Sequence, residues 1–134
     1  MDLSEPNRQS LKIMIINDEE DILTLYTDYF SKQGHQVIAK YTDASDIRDD
    51  VRVNIPDIFV IDYRLPGAKN GIEAAVDILT VLPSAPILFV TADETALSIV
   101  AKDPLLTNSR VKMLLKPVKL ETLEQTMMEL VNKK

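Results

Sequence analysis

The chain lacks the residues on which several kinds of site depend. Its 134 residues include no cysteine and no tryptophan. Without cysteine there is no disulfide framework, no thiol chemistry and no cysteine-based zinc site. The single histidine, His35, excludes a metal site built from a histidine cluster and argues against a Ser-His-Asp triad. We expect His35 to be a surface residue at the start of a strand, and we assign it no function.

The chain also lacks the charge pattern of nucleic-acid-binding proteins and the long apolar runs of membrane proteins. The net charge is -6 and the pI is about 4.7, whereas direct binding to nucleic acid requires clustered Lys and Arg. No apolar run approaches the roughly 20 residues that span a membrane, and the polar start has no signal-peptide core. We therefore expect a cytoplasmic protein with a flexible N-terminal arm over residues 1–10 and one domain over 11–134.

What the sequence does contain is a series of short apolar runs, at residues 12–16, 36–39, 57–61, 86–90 and 111–115. The first, third and fourth runs are almost continuous in Ile, Val, Leu and Phe, which is typical of strands covered on both faces. The second and fifth runs are more mixed, which indicates positions nearer the edges of a sheet.

Segments with the period of a helix separate these runs. Three have a clear apolar stripe: Ile22, Leu25, Tyr26, Tyr29 and Phe30; Ile72, Ala75, Val76, Leu79 and Leu82; and Leu120, Leu123, Met127, Leu130 and Val131. Two weaker helices are expected over 44–53 and 93–102. The order is strand-helix five times, which predicts a doubly wound α/β fold with a five-stranded parallel sheet. Such sheets bind ligands beyond the carboxyl ends of their strands.

Polar side chains stand at four of the five predicted strand ends. The first strand is followed by Asn17, Asp18 and Glu19, and the others end in Asp62, Thr91 and Lys116. Carboxylates that lie close together repel, and a hard divalent cation with oxygen ligands relieves that repulsion. A lysine and a hydroxyl beside such a cation suit phosphoryl oxygens, and an aspartate can accept a phosphoryl group as a nucleophile.

Four motifs in the right order and spacing give the chain a recognisable pattern: IMIINDEEDI at 13–22, PDIFVIDYRLPG at 56–67, VTA at 90–92 and LKP at 115–117. This pattern resembles the receiver domain of two-component response regulators and covers residues 11–134. The resemblance implies a flavodoxin-like (βα)5 sandwich with strand order 2-1-3-4-5. It also implies bound Mg²⁺ or Mn²⁺, and a phosphoryl group received from a histidine kinase or a histidine phosphotransfer protein.

The resemblance also implies a role for each matching residue. Asp62 would be the phospho-acceptor, Lys116 the lysine that contacts the phosphoryl group, and Thr91 the switch hydroxyl. A cis peptide bond before Pro117 would direct Lys116 into the site. The implied metal ligands are Asp18, Asp62 and the backbone carbonyl of Arg64, with Asn17 or Glu19 acting through water.

The sequence departs from the family pattern in three places. Asn17 stands where a second acid is usual, and either Asn17 keeps that position or Glu19 supplies the missing carboxylate. The loop 65–71 is one residue longer than usual. Met113 replaces the usual switch aromatic, so that Thr91 and Met113 would form the switch pair. We predict separately that Arg64, Ala92 and Asp93, which flank the acceptor and Thr91, tune the lifetime of the acyl phosphate.

These observations leave more than one function open. The leading reading is a phosphorylated signalling switch, acting on a downstream protein through the surface of the fourth helix, the fifth strand and the last helix, or as a homodimer. Because the chain stops at Lys134, we expect a stand-alone receiver or an excised domain. A pseudo-receiver that acts only as a protein-interaction module is the alternative, supported by Asn17 and Met113. A flavodoxin-like flavin binder would need a phosphate-binding loop of Ser, Thr and Gly after the first strand, which this chain lacks. A haloacid-type phosphatase would need an acid where Arg64 stands.

Overall fold

The computed structural model describes residues 9–41, 47–62, 71–92, 94–107 and 110–132. Strands and helices alternate through these ranges. The strands are β1 (Lys12–Ile16), β2 (Gln36–Tyr41), β3 (Ile58–Asp62), β4 (Ile87–Thr91) and β5 (Val111–Leu115). The helices are α1 (Glu20–Lys32), α2 (Ile47–Val53), α3 (Gly71–Val81), α4 (Thr95–Lys102), α5 (Pro104–Thr107) and α6 (Leu120–Asn132).

The five strands form one parallel sheet in the order β2-β1-β3-β4-β5. In its register Ile16 lies beside Ile61, and Thr91 lies beside Leu115, so that four strands end at the same edge. The doubly wound α/β fold, the strand order and the edge positions of the two mixed strands are thus confirmed. The strand order reverses between β1 and β3, where sheets of this kind hold their ligands.

Successive side chains along the strands point to opposite faces of the sheet, and this divides the core into two layers. Ile13, Ile15 and Val60 pack with α1 and α6 on one face of the sheet. Met14 and Phe59 face the opposite way, toward α2, α3 and α5. Every residue of β3 and β4 is buried, which explains their continuous apolar runs, because neither face of these strands meets water.

Two helical predictions need correction. Leu25, expected in the apolar stripe of α1, is 48% exposed, and Leu23 is buried in the core instead.

The simple strand-helix alternation also misses α5, a single turn between α4 and β5. Its start has an ordinary local cause. Pro104 occupies the first helical position, and the Asp103 carboxylate accepts a hydrogen bond of 3.4 Å from the backbone N–H of Leu106.

His35 is buried, so the prediction that it lies at the surface is wrong. Its Nδ1 accepts a hydrogen bond of 3.0 Å from the backbone N–H of Leu11. The proton therefore sits on Nε2, which lies 2.6 Å from Oε2 of Glu124 on α6. Tyr29 also reaches Glu124, at 3.4 Å. The ring thus joins the start of β1 and the α1–β2 turn to the last helix, because each of its nitrogens has a partner.

Some predictions concern residues that are only partly described. Of the N-terminal arm expected over 1–10, residues 1–8 lie outside the described ranges, whereas the Ser10 hydroxyl donates a 2.6 Å hydrogen bond to the carbonyl of Gly34. The loop 65–71 is described only at Gly71, where α3 begins. None of the helices in the described part of the chain has the length and apolar character needed to cross a membrane.

Candidate functional site

A cleft of about 530 Å³ opens at the carboxyl edge of the sheet. Its walls come from the ends of β3 and β4 and from the segments that follow β1, β4 and β5: Asp18, Glu19, Asp62, Thr91, Ala92, Glu94, Thr95 and Lys116. The structure therefore brings together the carboxylates, the hydroxyl and the ammonium that the strand ends predicted. Glu94 and Thr95, at the start of α4, also line the cleft, although they do not follow a strand directly.

The most restrained carboxylate of the cleft is that of Asp62, the last residue of β3. Asp62 is only 8% exposed, and Nζ of Lys116 lies 3.6 Å from its Oδ2. Lys116 follows β5, and its backbone N–H donates a 2.8 Å hydrogen bond to the carbonyl of Thr91. The Lys116–Pro117 peptide bond is cis, as the resemblance implied. A nearly buried carboxylate is thus held beside a cation.

The residues after β1 show what Asn17 does in place of an acid. Asn17 is 3% exposed, and its Oδ1 accepts a 2.9 Å hydrogen bond from the backbone N–H of Glu19. The backbone N–H of Asn17 donates a hydrogen bond to the carbonyl of Tyr41 and so extends the hydrogen-bond ladder between β1 and β2. Asn17 therefore closes the turn that leads into α1. Asp18 and Glu19 are exposed and face the cleft.

The site residues divide between the two faces of the sheet. Asp62 follows the alternation of Ile58 and Val60, which pack with α1 and α6. Met113 lies beside Phe89 in the register of β4 and β5 and packs on the opposite face. Thr91, two residues after Phe89, follows that same alternation and is 1% exposed. The predicted switch pair, Thr91 and Met113, thus lies on the face of the sheet that α4 and α5 cover.

Tyr26, which the sequence pattern predicts only as part of an apolar stripe, is electrostatically coupled to the site. It lies on α1 and is 6% exposed. Burial raises the pKa of its hydroxyl, and the negative charges of Asp62 and Glu19 raise it further. No local signal in the sequence marks this, because only the folded sheet brings Asp62 to the core layer that contains Tyr26.

Three residues are predicted to tune the lifetime of an acyl phosphate. Ala92 is exposed and lines the cleft. Arg64 and Asp93 lie outside the described residues. Within the ranges that the structure covers, His, Cys, Asp and Glu side chains nowhere form a metal-binding group of three or more. The two carboxylates of Asp18 and Asp62 in one cleft still match Mg²⁺, which proteins commonly hold with one or two carboxylates plus water and phosphate oxygens.

The fold and the cleft define an open parallel α/β protein with an acidic, lysine-containing site where the strand order reverses. The sequence matches the family model of the response regulator receiver domain over residues 13–128. The chain therefore belongs to the family of response regulator receiver domains.

Curated relatives of this chain include larger proteins. It is 32% identical over 95 residues to a protein-glutamate methylesterase/protein-glutamine glutaminase 2 from Paramagnetospirillum magneticum, covering 69% of this chain and 26% of that protein. It is 31% identical over 83 residues to the alkaline phosphatase synthesis transcriptional regulatory protein PhoP from Bacillus subtilis, covering 62% and 34%. It is 26% identical over 81 residues to the chemotaxis protein CheY from Thermotoga maritima, covering 60% and 67%. The chain thus spans about a quarter to a third of the first two relatives.

Solved structures show the same fold at lower sequence identity. A LuxR-family two-component response regulator from Aurantimonas sp. superposes with a TM-score of 0.77 at 24% identity, over 92% of this chain and 86% of that one. The REC domain of the PhyR response regulator from Erythrobacter litoralis gives a TM-score of 0.77 at 23% identity, over 93% and 95%.

Proposed function

We propose that this receiver domain accepts a phosphoryl group on Asp62 from a histidine kinase or a histidine phosphotransfer protein, and that the modified state changes its contacts with other proteins. The observation that carries the proposal is the pair of Asp62 and Lys116. A carboxylate only 8% exposed lies 3.6 Å from an ammonium group, at the edge of an open cleft. Membership of the receiver family supports the same conclusion.

The reaction that this arrangement suits is a phosphoryl transfer between two protein side chains. A carboxylate oxygen of Asp62 attacks the phosphorus of a phosphohistidine, a P–O bond forms, and the P–N bond breaks. The released imidazole takes a proton from solvent, and Asp62 becomes an acyl phosphate. Lys116 balances negative charge on the transferring group, because phosphoryl transfer depends mainly on positioning and electrostatic stabilisation. Thr91 supplies a hydroxyl for the phosphoryl oxygens once the bond has formed.

The proposal includes a divalent cation in the cleft, Mg²⁺ or Mn²⁺. Asp18 and Asp62 would hold it together with the backbone carbonyl of Arg64, and Asn17 or Glu19 would contribute through water. The bound cation would neutralise negative charge shared between the carboxylates and the incoming phosphoryl group. Arg64, Ala92 and Asp93, which follow Asp62 or Thr91 closely in sequence, would set how long the acyl phosphate survives.

Phosphorylation would act by shifting a population between two conformations. Thr91 and Met113 would form the bistable pair, since they lie on the same face of the sheet and Met113 is only partly buried there. A flexible thioether can adopt two packings more easily than a stiff side chain. The output would pass through the surface of α4, β5 and α6, to a downstream protein or to a second copy of the chain, in the cytoplasm.

Incubation with acetyl phosphate tests the acceptor and the cation together. In the presence of MgCl₂ we expect the intact mass to rise by one phosphoryl group, and we expect no rise in Asp62→Asn or with excess EDTA. Asp28→Asn is the matched control, because Asp28 is an exposed residue of α1 that pairs with Lys32 on the helix surface. It should be modified like the wild type.

A pseudo-receiver is the second candidate, and the engagement of Asn17 favours it. Its side chain is neutral and so contributes no charge for a cation, and its amide oxygen already accepts a hydrogen bond from the backbone N–H of Glu19. If neither acetyl phosphate nor a phosphorylated kinase modifies the wild-type protein at any Mg²⁺ concentration, this second function replaces the first.

A further inference from the structure

A second concave site, a groove of about 440 Å³, lies at the amino edge of the sheet, opposite the cleft that contains Asp62. Its walls come from the residues before β3, β4 and β5 and from the ends of α3 and α6. Most of the lining side chains are apolar, such as those of Val81, Pro83 and Val131. Ile55, which also lines the groove, is 59% exposed. An accessible apolar surface of this kind is typical of a site that binds another segment of protein.

Two charged side chains, those of Asp57 and Arg110, stand among the described residues that line the groove. Oδ2 of Asp57 accepts a 2.7 Å hydrogen bond from the backbone N–H of Lys12. The guanidinium of Arg110 is half-buried and has neither a hydrogen bond nor an ion pair with any residue that the structure describes. A guanidinium binds a carboxylate through two parallel hydrogen bonds. The groove therefore suits a segment that carries an apolar side chain and an acid.

The N-terminal arm of the same chain has this composition and starts beside the groove. Residues 1–8 read MDLSEPNR and contain two acids, a leucine and a proline. They precede Gln9, whose Oε1 accepts a 3.1 Å hydrogen bond from Nδ2 of Asn132, the residue after Val131. From Gln9, a segment of six residues reaches up to about 20 Å, whereas the three strands β3 to β5 span only about 10 Å. The arm is thus long enough to cross the groove.

We propose that this groove is a binding site for a short peptide segment and that residues 1–8 of the same chain occupy it. In the bound arm, Leu3 packs against the apolar wall and the carboxylate of Glu5 pairs with the guanidinium of Arg110. Pro6 favours an extended backbone at Glu5, and side chains two positions apart in an extended chain point to the same side. The groove lies at the opposite edge of the sheet from the cleft, so the inference does not rest on the proposed function.

A spin label on the arm tests the contact directly. The chain contains no cysteine, so a nitroxide attached to the variant Ser4→Cys labels one position alone. Position 4 suits the label because its side chain alternates with those of Leu3 and Glu5 in an extended chain and would point away from the groove.

Paramagnetic broadening of the backbone amide signals of the labelled full-length protein is the readout. We expect the signals of Ile55, Ser84 and Arg110, which line the groove, to lose much more intensity than that of Ala92 at the carboxyl edge. Reduction of the nitroxide should restore all of them.

A charge exchange tests the pairing between the arm and the groove. In the spin-labelled protein, Arg110→Glu should restore most of the intensity at Ile55 and Ser84, because the arm then meets a like charge. Adding Glu5→Arg to that variant should bring the broadening back. Lys102→Glu is the matched control, since it makes the same change of charge at an exposed position of α4, and it should leave the broadening unchanged.

Three results would overturn the proposal. The first is an equal loss of intensity at both edges of the sheet, and the second is broadening that persists in Arg110→Glu or fails to return with Glu5→Arg. The third comes from an equimolar mixture of ¹⁵N-labelled protein without nitroxide and unlabelled protein with nitroxide. We expect no selective broadening there, whereas selective broadening would mean that the arm of a second copy fills the groove.

Discussion

The charge of the cleft can be altered at one position with little change of shape, by Asn17→Asp. Asn17 follows Ile16, which lies beside Ile61 in the sheet, so position 17 lies beside Asp62. Both residues are nearly buried, at 3% and 8% exposure. An aspartate would still accept the hydrogen bond from the Glu19 N–H. The substitution therefore tests electrostatics alone.

The magnitude follows from the strand spacing. Neighbouring strands lie about 4.8 Å apart, so the two carboxylates would be separated by roughly 6 Å. At an effective dielectric constant near 20 their repulsion is about 3 kcal/mol, and Lys116, 3.6 Å from Asp62, offsets part of it. We expect Asn17→Asp to lose about 2 kcal/mol of unfolding free energy without a divalent cation. Excess Mg²⁺ should restore that loss, since a cation that binds only the folded state stabilises it.

Urea unfolding at neutral pH, with EDTA or with MgCl₂, measures both effects. The wild type should gain less from Mg²⁺ than Asn17→Asp does. Asn54→Asp is the control, because the same change is made at an exposed position, where we expect a shift within about 0.5 kcal/mol under both conditions. The reasoning fails if Asn17→Asp is as stable as the wild type in EDTA, or if its loss persists in Mg²⁺.

Three further predictions concern the buried cluster, the edge of the sheet and the lysine. His35→Leu should cost about 2–4 kcal/mol in urea unfolding, because it removes the acceptor of the Leu11 N–H and one of the partners of the mostly buried Glu124 carboxylate. Glu129→Gln on the surface of α6 should change little, and equal losses would contradict this. Burial and a hydrogen bond to Asp50 raise the pKa of Tyr41 from 10.0 to about 12. The neutral hydroxyl therefore contributes fully to folding stability below pH 10, and this contribution is lost as the pH rises toward 12. The alkaline loss of stability should be smaller in Tyr41→Phe, and an identical pH profile would refute the prediction. Lys116→Met should slow phosphorylation by acetyl phosphate by about a hundredfold, and an unchanged rate would remove the lysine from the proposed mechanism.

The strands and the cleft could be predicted from the sequence because their signals are local. Continuous apolar runs identify β1, β3 and β4, and parallel strands end at the same edge of a sheet. Asp62, Thr91 and Lys116 therefore converge once β3, β4 and β5 are neighbours, as they are here. The mixed composition of the other two runs correctly indicated the sheet edges. The site was therefore visible in the sequence as polar residues at strand ends.

The features that the sequence did not predict depend on contacts between distant segments. His35 is buried because Glu124, 89 positions away in the chain, meets it with a carboxylate, and no local pattern reports that pairing. The choice of Leu23 over Leu25 as a core residue depends on how α1 is rotated against the sheet. Tyr26 reads as an ordinary member of an apolar stripe until β3 places Asp62 on the same face.

The central claim is that Asp62 carries the phosphoryl group, and reductive trapping tests it most directly. Borohydride reduces an acyl phosphate to an alcohol, so treatment of the acetyl phosphate-labelled protein should convert position 62 alone to homoserine, as found by peptide mass mapping. The conversion should require Mg²⁺. Homoserine at Asp18 or at another acid of the cleft, or no conversion in a protein that has gained the mass of a phosphoryl group, would contradict the account.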